Sequence, residues 1–101
     1  MFIFNTTFSV EKESLDEWEQ WMQKTYLPTF KGILPNVKHQ LFELLTNNQE
    51  ESVNYSCQWR CSNPDELEVI NKYSTILFNN LSETMGERCL HFISILKSHD
   101  F

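Results

Sequence analysis

The stretch that decides the fold is Val53-Asn54-Tyr55-Ser56-Cys57-Gln58-Trp59-Arg60-Cys61, in which apolar and polar side chains alternate. Successive side chains of a β-strand point to opposite faces of the sheet, so this alternation predicts a strand with one buried face. The apolar face holds Val53, Tyr55, Cys57, Trp59 and Cys61. The polar face holds Asn54, Ser56, Gln58 and Arg60. The stretch therefore predicts a sheet with a buried side and an open side.

Three other segments show strand patterns. Residues 2–10 alternate between one face with Phe2, Phe4, Phe8 and Val10 and another with Ile3, Asn5, Thr7 and Ser9. Residues 37–45 are less decisive, because both faces are partly apolar. One face carries Phe42 and Leu44, and the other carries Val37, Leu41 and Leu45. The polar residues 46–52 predict a hairpin loop before the strand at 53–61, and residues 89–96 predict a last strand.

Two helices are predicted between these strands. Ser14 followed by Glu17 has the spacing of a capping box, and Pro28 predicts the end of this first helix. Asn63 before Pro64 predicts the start of the second helix, because asparagine caps free amides and proline lacks an amide hydrogen. Gly86, which tolerates the backbone conformation of a helix C-terminus, predicts its end.

The resulting order, β-α-β-β-α-β, predicts a ferredoxin-like α+β fold with a single domain over residues 1–101. A chain of this length buries roughly 60–70% of its unfolded surface, which is enough for a core. The fold places two helices on one face of a four-stranded antiparallel sheet, with strands one and three as central neighbours. The polar faces of residues 2–10 and 53–61 should therefore lie side by side on the open face.

The charge and hydropathy of the chain exclude several partners. Its formal net charge is −6, and its eight basic residues are scattered. Nucleic-acid backbones are bound through clustered lysine and arginine, so no nucleic-acid partner is expected. No apolar run approaches the roughly 20 residues that span a bilayer, and the first residues lack the features of a secretory signal. The sequence predicts a soluble cytoplasmic protein with no membrane partner.

The three cysteines predict neither a disulfide nor a metal site. Cys57 and Cys61 lie on one face of a predicted strand, about 13 Å apart at about 3.3 Å per residue, and this is too far for a bond. Their spacing lacks the second ligand pair of a structural zinc site, and buried thiols are common in protein cores. We expect Cys57, Cys61 and Cys89 to be reduced, with no bound metal and no cofactor.

The sequence contains no recognisable catalytic motif. It lacks a glycine-rich phosphate loop, a nucleophile elbow and a pair of metal-binding histidines. His39, His91 and His99 are far apart in sequence, and no catalytic residue is predicted. Two functions stay open: a non-catalytic ligand-binding or interaction module, and a cofactor-free enzyme such as a small monooxygenase or isomerase. The missing histidine–carboxylate pair favours the first.

The open sheet face is the candidate site. Its predicted ligand-binding residues are Asn5, Thr7, Ser56, Gln58 and Arg60. Such a face can simply be wetted by solvent, or two protomers can stack it around a small cavity, which predicts a homodimer. In such a cavity Arg60 would favour a small anionic ligand, a carboxylate or phosphate, through forked hydrogen bonds. The alternative is that Arg60 only reaches solvent at the end of its strand.

Several segments resemble a known family. They are residues 15–22 (Leu-Asp-Glu-Trp-Glu-Gln-Trp-Met) with Pro28 shortly after, residues 53–62, and Met85-Gly86 before a last strand with Phe92. These segments look like the small bacterial family named domain of unknown function 4286, and the likeness covers nearly the whole chain. The resemblance implies a ferredoxin-like fold of the dimeric α/β-barrel type and no known activity.

The chain also departs from that family. Many members carry a histidine just before the proline and another in the middle of the second helix, where this sequence has Tyr26-Leu27-Pro28 and the neighbourhood of Tyr73. Tyrosine donates hydrogen bonds but does not act as a base near neutral pH without a large pKa shift. A shared histidine chemistry is therefore not expected here.

Overall fold

The computed structural model describes residues 1–45 and 51–100. Its strands are β1 (Phe2–Glu11), β2 (Lys38–Leu44), β3 (Ser52–Cys61) and β4 (Cys89–Lys97). Its α-helices are α1 (Leu15–Trp21), α2 (Leu27–Ile33) and α3 (Pro64–Met85). A π-helical turn, Met22–Tyr26, joins α1 to α2, and 3-10 turns at Lys12–Ser14 and Gly86–Arg88 precede α1 and β4. Each predicted strand is confirmed within one residue at either end, while residues 46–50 of the predicted hairpin loop lie outside the described residues.

The strands form one antiparallel sheet in the order β2-β3-β1-β4. β1 and β3 are the central pair, with Phe4 opposite Trp59 and Thr7 opposite Ser56. β2 and β4 are therefore the two edges of the sheet. This order, with helices between β1 and β2 and between β3 and β4, confirms the ferredoxin-like prediction.

The helices pack on the face that carries the apolar residues of β1 and β3. The largest fully buried side chains on this helix side include Phe4, Phe8, Trp59, Trp18, Tyr26, Phe30, Ile70 and Leu81. The ring of Phe8 lies 5.5 Å from that of Trp18 and 5.8 Å from that of Phe78, in tilted and edge-on arrangements that aromatic pairs favour. Within the described residues the core cluster lies on this side, so the opposite face of the sheet is protein surface.

The helix α3 begins and ends as its sequence predicts. The side chain of Asn63 accepts a hydrogen bond from the backbone amide of Glu66 at 2.9 Å, and Pro64 occupies the first turn. At the other end, Gly86 adopts a φ of 57°, a conformation that favours glycine. Local sequence therefore fixes both ends of this helix.

The predicted capping box of the first helix is wrong. The side chain of Ser14 makes no cap hydrogen bond, and a 3-10 turn precedes α1. Instead, the guanidinium of Arg88 donates to the Ser14 hydroxyl at 3.1 Å and forms an ion pair with Glu17. Arg88, which follows Glu17 by 71 positions, thus binds the side chains of both residues of the predicted capping box.

The predicted end of the first helix at Pro28 is also wrong, because helical structure continues to Ile33. The amide of Leu27 donates to the carbonyl of Met22, five residues earlier, as in a π-helix. Proline has no amide hydrogen and clashes with the carbonyl four residues before it in a regular helix. The wider turn before Pro28 lets a new α-helical segment, α2, begin with proline in its first turn.

Candidate functional site

The open face is the side of the sheet away from the helices. Side chains of paired strand residues lie on the same face, so the register of the four strands defines rows across it. From β2 to β4, the rows are Lys38, Arg60, Ile3 and Leu96; Gln40, Gln58, Asn5 and Ser94; Phe42, Ser56, Thr7 and Phe92; and Leu44, Asn54, Ser9 and Leu90. The five residues predicted for the site all belong to these rows.

Four of these residues form a hydrogen-bonded group that we call the polar centre: Asn5, Thr7, Ser56 and Gln58. The hydroxyl of Ser56 donates to the side-chain oxygen of Asn5. The amide nitrogen of Asn5 lies 3.4 Å from the Thr7 hydroxyl, and that of Gln58 lies 3.5 Å from the Ser56 hydroxyl. The central strands therefore hold these donors and acceptors together, as the alternation of β1 and β3 predicts.

Arg60 lies at one end of the open face with a second cation beside it. Its guanidinium donates to the side-chain oxygen of Gln40 at 3.2 Å, and Lys38 is its partner residue on β2. Within residues 1–45 and 51–100, the ion pair of Arg88 with Glu17 is the one that forms, so neither Arg60 nor Lys38 is neutralised by a carboxylate there. This end of the open face therefore carries two uncompensated positive charges.

Large apolar side chains flank the polar centre on both edge strands. We call them the apolar edges: Phe42 and Leu44 on β2, and Leu90, Phe92 and Leu96 on β4. Each is between 39% and 61% exposed. Exposed apolar side chains that lie together in this way are a feature of many interaction surfaces.

The two strand histidines lie on the helix side, one at each edge of the sheet. The ring of His39 lies 4.6 Å from that of Trp59, and the ring of His91 lies 4.5 Å from that of Phe78. Burial lowers the pKa of both imidazoles, and the charge of Lys31 lowers that of His39 further. Both histidines therefore lie away from the open face and favour the neutral form.

The model of the family described as Domain of unknown function (DUF4286) matches residues 1–99. The chain belongs to this family. No curated protein is significantly similar to it. Among solved structures, a de novo designed protein, Foldit4, is similar with a TM-score of 0.67 and 10% identity, over 97% of this chain and 98% of that one. At this identity the likeness shows the fold alone.

In this member of the DUF4286 family, the tyrosine before Leu27-Pro28 is a core residue. The indole nitrogen of Trp59 donates to the Tyr26 hydroxyl at 2.9 Å. Burial raises the pKa of Tyr26 well above its usual value, and the neighbouring Cys57 raises it further. Tyr26 therefore stays protonated, as a buried hydrogen-bonding group that does not reach the open face.

The cysteines are free, buried thiols on the helix side. Burial raises the pKa of Cys57 to about 12, that of Cys61 to about 11 and that of Cys89 to about 12. The thiolate is the reactive form of cysteine, so at neutral pH these side chains are poor nucleophiles.

The sequence missed the contribution of β2 to the open face. Lys38, Gln40 and Phe42 join the predicted residues there, because they pair with Arg60, Gln58 and Ser56. No local pattern reveals this, since the apolar residues of β2 occur on both of its faces and remain exposed on both, including Leu41 on the helix side.

None of the described helices combines the length and the hydrophobicity that a membrane-spanning helix requires.

Proposed function

We propose that the protein is a non-catalytic module that binds a small anionic ligand between the open faces of two copies of the chain. The observation that carries this proposal is the pattern of the open face: a polar centre between two apolar edges, with Arg60 and Lys38 at one end, where no carboxylate of the described residues pairs with them.

The apolar edges support stacking of two faces. When two copies meet face to face about a two-fold axis, Phe42 and Leu44 of each copy and the apolar side chains of β4 come together at the sides. Burial of an exposed side chain of this size contributes about 1.5–3 kcal/mol when complete. The polar centre then lies in an enclosed space that one chain by itself lacks, so the site is complete only in the dimer.

The size of the face is sufficient for such an interface. Four strands spaced about 4.8 Å apart, with about eight residues each at about 3.3 Å, cover roughly 500 Å² of projected area. Two copies therefore contribute about 1,000 Å² in total, near the lower bound for a specific protein–protein interface.

The charges and donors of the face support an anion as ligand. Arg60 presents a planar guanidinium that matches a carboxylate or phosphate group, and Lys38 adds a second charge beside it. Hydroxyl and amide groups of the polar centre supply neutral hydrogen bonds next to these charges. The chain as a whole carries a net charge of −6, so a face with two cations that no described carboxylate pairs with differs in charge from the rest of the protein.

A non-catalytic role is favoured over an enzyme by the titratable groups nearby. The strand histidines stack on aromatic rings on the helix side. In the described β1–β3 ladder, the carboxylate that shares the open face is Glu11, at the opposite end from Arg60. General acid–base chemistry requires a group within hydrogen-bond reach of the substrate, and the polar centre offers only amides and hydroxyls.

The dimer is tested by sedimentation equilibrium at micromolar concentration. Phe42→Lys places a charge on the open face, whereas Leu41→Lys places the same charge on the helix side of the same strand, and the two wild-type residues are 46% and 45% exposed. We expect Phe42→Lys to lower the assembled mass and Leu41→Lys to leave it unchanged. A native mass of 12.1 kDa, or a mass that Phe42→Lys leaves unaltered, contradicts the face-to-face dimer.

The ligand class is tested by thermal shift with inorganic phosphate, citrate and acetate. At about ten times Kd, a ligand that binds only the folded state adds about 1.4 kcal/mol, a rise in Tm of roughly 6–10 °C for a domain of this size. We expect this rise with at least one anion, its loss in Arg60→Ala and its retention in Lys97→Ala, which removes a charge from the helix side of β4. If no anion stabilises the native protein more than Arg60→Ala, anion binding at this face is wrong.

A further inference from the structure

The outer edge of β4, which no other strand of the described residues pairs with, is a second surface distinct from the open face. From Leu90 to Leu96 this strand carries no charged residue and no proline. Its helix-side residues Ile93 and Ile95 are 43% and 53% exposed, although stacking of the open faces would cover only the other side of the strand. Native proteins usually protect an edge of this kind with charges, proline or a bulge.

The backbone of β4 shows which residues are free to pair. The amide of Ser98 donates to the carbonyl of Met1 at 3.0 Å, and these two residues extend the register of the β1–β4 ladder. Antiparallel pairs alternate between hydrogen-bonded and non-hydrogen-bonded, so even-numbered residues of β4 bond to β1. The backbone groups of His91, Ile93, Ile95 and Lys97 therefore point away from the sheet, ready to pair with another strand.

We propose that β4 pairs antiparallel with β4 of a second copy, about a two-fold axis at Ser94. In this register Ile93 lies opposite Ile95 of the second copy, and Phe92 lies opposite Leu96 of the second copy. The outward backbone groups form hydrogen-bonded pairs, and apolar side chains meet on both faces. The two sheets become one continuous sheet, with the helices of both copies on the same side.

The occupant is a second copy because the edge is complementary to itself. An antiparallel strand pair is symmetric, so one uncharged segment supplies both partners. Two chains that each carry a net charge of −6 repel one another, and a segment without charges brings them together where this repulsion is weakest. Centring on Ser94 places the small polar residue on the axis and an aliphatic or aromatic partner opposite each large side chain from Phe92 to Leu96.

This interface goes beyond the proposed face-to-face dimer and does not depend on it. Its two-fold axis is perpendicular to the sheet, whereas the axis of the stacked faces lies in the plane between the sheets. Two isologous interfaces with perpendicular axes that intersect close into a tetramer. If the two axes intersect, the protein with both interfaces assembles as four chains.

A cysteine at the axis tests the edge directly. In the proposed register the two Ser94 residues form a non-hydrogen-bonded pair with Cα atoms about 4.5 Å apart, within the range that a disulfide bridges. Under mild oxidation with oxidised glutathione, we expect most of Ser94→Cys to form a covalent dimer on non-reducing electrophoresis, also in the Phe42→Lys background, in which the open faces no longer stack. The control Glu43→Cys lies on the helix side of the other edge strand, which neither proposed interface covers, and it should remain a single chain, as should the native protein. Failure of Ser94→Cys to cross-link, or equal cross-linking of Glu43→Cys, overturns the proposal.

A charge on the edge provides the second test. Ile93→Lys should halve the mass of the native assembly in sedimentation equilibrium, because two lysines cannot be buried at the strand pair. An unchanged mass in Ile93→Lys overturns the edge pairing while the face-to-face dimer stands. An unchanged mass in Phe42→Lys overturns the face-to-face dimer while the edge pairing stands. Cross-linking of Ser94→Cys to a different polypeptide also overturns the proposal, because the occupant is then not a second copy.

Discussion

The two edge strands of the sheet differ in how their outer sides are protected. β2 carries Lys38 and Glu43 within seven residues, so a strand that approaches this edge meets charges of both signs. β4 carries no charge between Leu90 and Leu96. Both strands expose apolar side chains to the open face, so the difference concerns the edge and not the face. It indicates that β2 ends the sheet, whereas β4 is suited to continue it.

The same comparison extends into the core. Each edge strand has one histidine that stacks on a core ring, His39 on Trp59 and His91 on Phe78. The edges are therefore anchored in similar ways on the helix side, although their outer sides differ. Substitutions on both strands can therefore distinguish the residues that hold an edge strand against the core from the residues that pair with another strand.

The largest effect is expected from the anchoring rings. Trp59→Ala and Phe78→Ala should each lower the free energy of unfolding by about 3–5 kcal/mol, because each leaves a large cavity. Trp59→Ala should cost more, since it also removes the donor to the buried Tyr26 hydroxyl. Urea unfolding measures both values. A loss below about 1 kcal/mol in either variant would show that its ring does not anchor the edge.

A matched pair of lysines tests the difference between the edges themselves. Ile93→Lys on β4 and Leu41→Lys on β2 both introduce a charge on the helix side, at residues that are 43% and 45% exposed. We expect only Ile93→Lys to weaken assembly, by at least tenfold in the dissociation constant, which equals about 1.4 kcal/mol. Sedimentation over a dilution series measures this constant. Equal effects of the two lysines would remove the distinction between β2 and β4.

The helices that lead into the two edge strands provide a smaller contrast. Asn63→Ala, before the helix that leads to β4, should cost about 1 kcal/mol, because its side chain caps the amide of Glu66. Ser14→Ala, before the helices that lead to β2, should cost less, roughly 0.5 kcal/mol, since Ser14 caps no amide and loses only the hydrogen bond from the half-exposed Arg88 guanidinium. Urea unfolding of both variants checks this order. The reverse order would mean that Ser14 contributes through its contact with Arg88.

The smallest effect concerns pH, and here the two edges should behave alike. Burial lowers the pKa of His39 and His91 in the folded protein, so below pH about 6.5 the unfolded state binds more protons. The free energy of unfolding should therefore fall as the pH decreases below about 6.5 and be fully restored above it. His39→Gln and His91→Gln should each weaken this dependence in urea unfolding between pH 5 and pH 8. A profile identical to that of the native protein would show that the imidazole is not desolvated.

The sequence predicts much of the candidate site because strands one and three alternate cleanly. Asn5, Thr7, Ser56 and Gln58 needed only the period of a strand and the central position of β1 and β3 to be placed together. The second cation, Lys38, could not be found in this way. Whether Lys38 lies on the open face depends on the register of β2 against β3. The sequence does not indicate this register, because apolar residues occur on both faces of β2.

The sequence by itself determined the elements whose ends are set by local chemistry. The alternation of residues 2–10 and 53–61 requires strands, the Asn63 cap and Gly86 bound α3, and the element order leads to the ferredoxin-like sheet. The sequence also located the start of α1 after Ser14, but only the tertiary structure decided how this end is held, by Arg88 bound to Ser14 and Glu17, and the continuation of the helix past Pro28 through a π-helical turn. These features depend on groups distant in sequence or on a shift in hydrogen-bond spacing, and neither leaves a trace in local periodicity. The contrast between the two edge strands depends on both the sequence and the tertiary structure. The sequence determines the charged and apolar residues of β2 and β4, whereas the strand order of the folded sheet determines that these two strands are its edges.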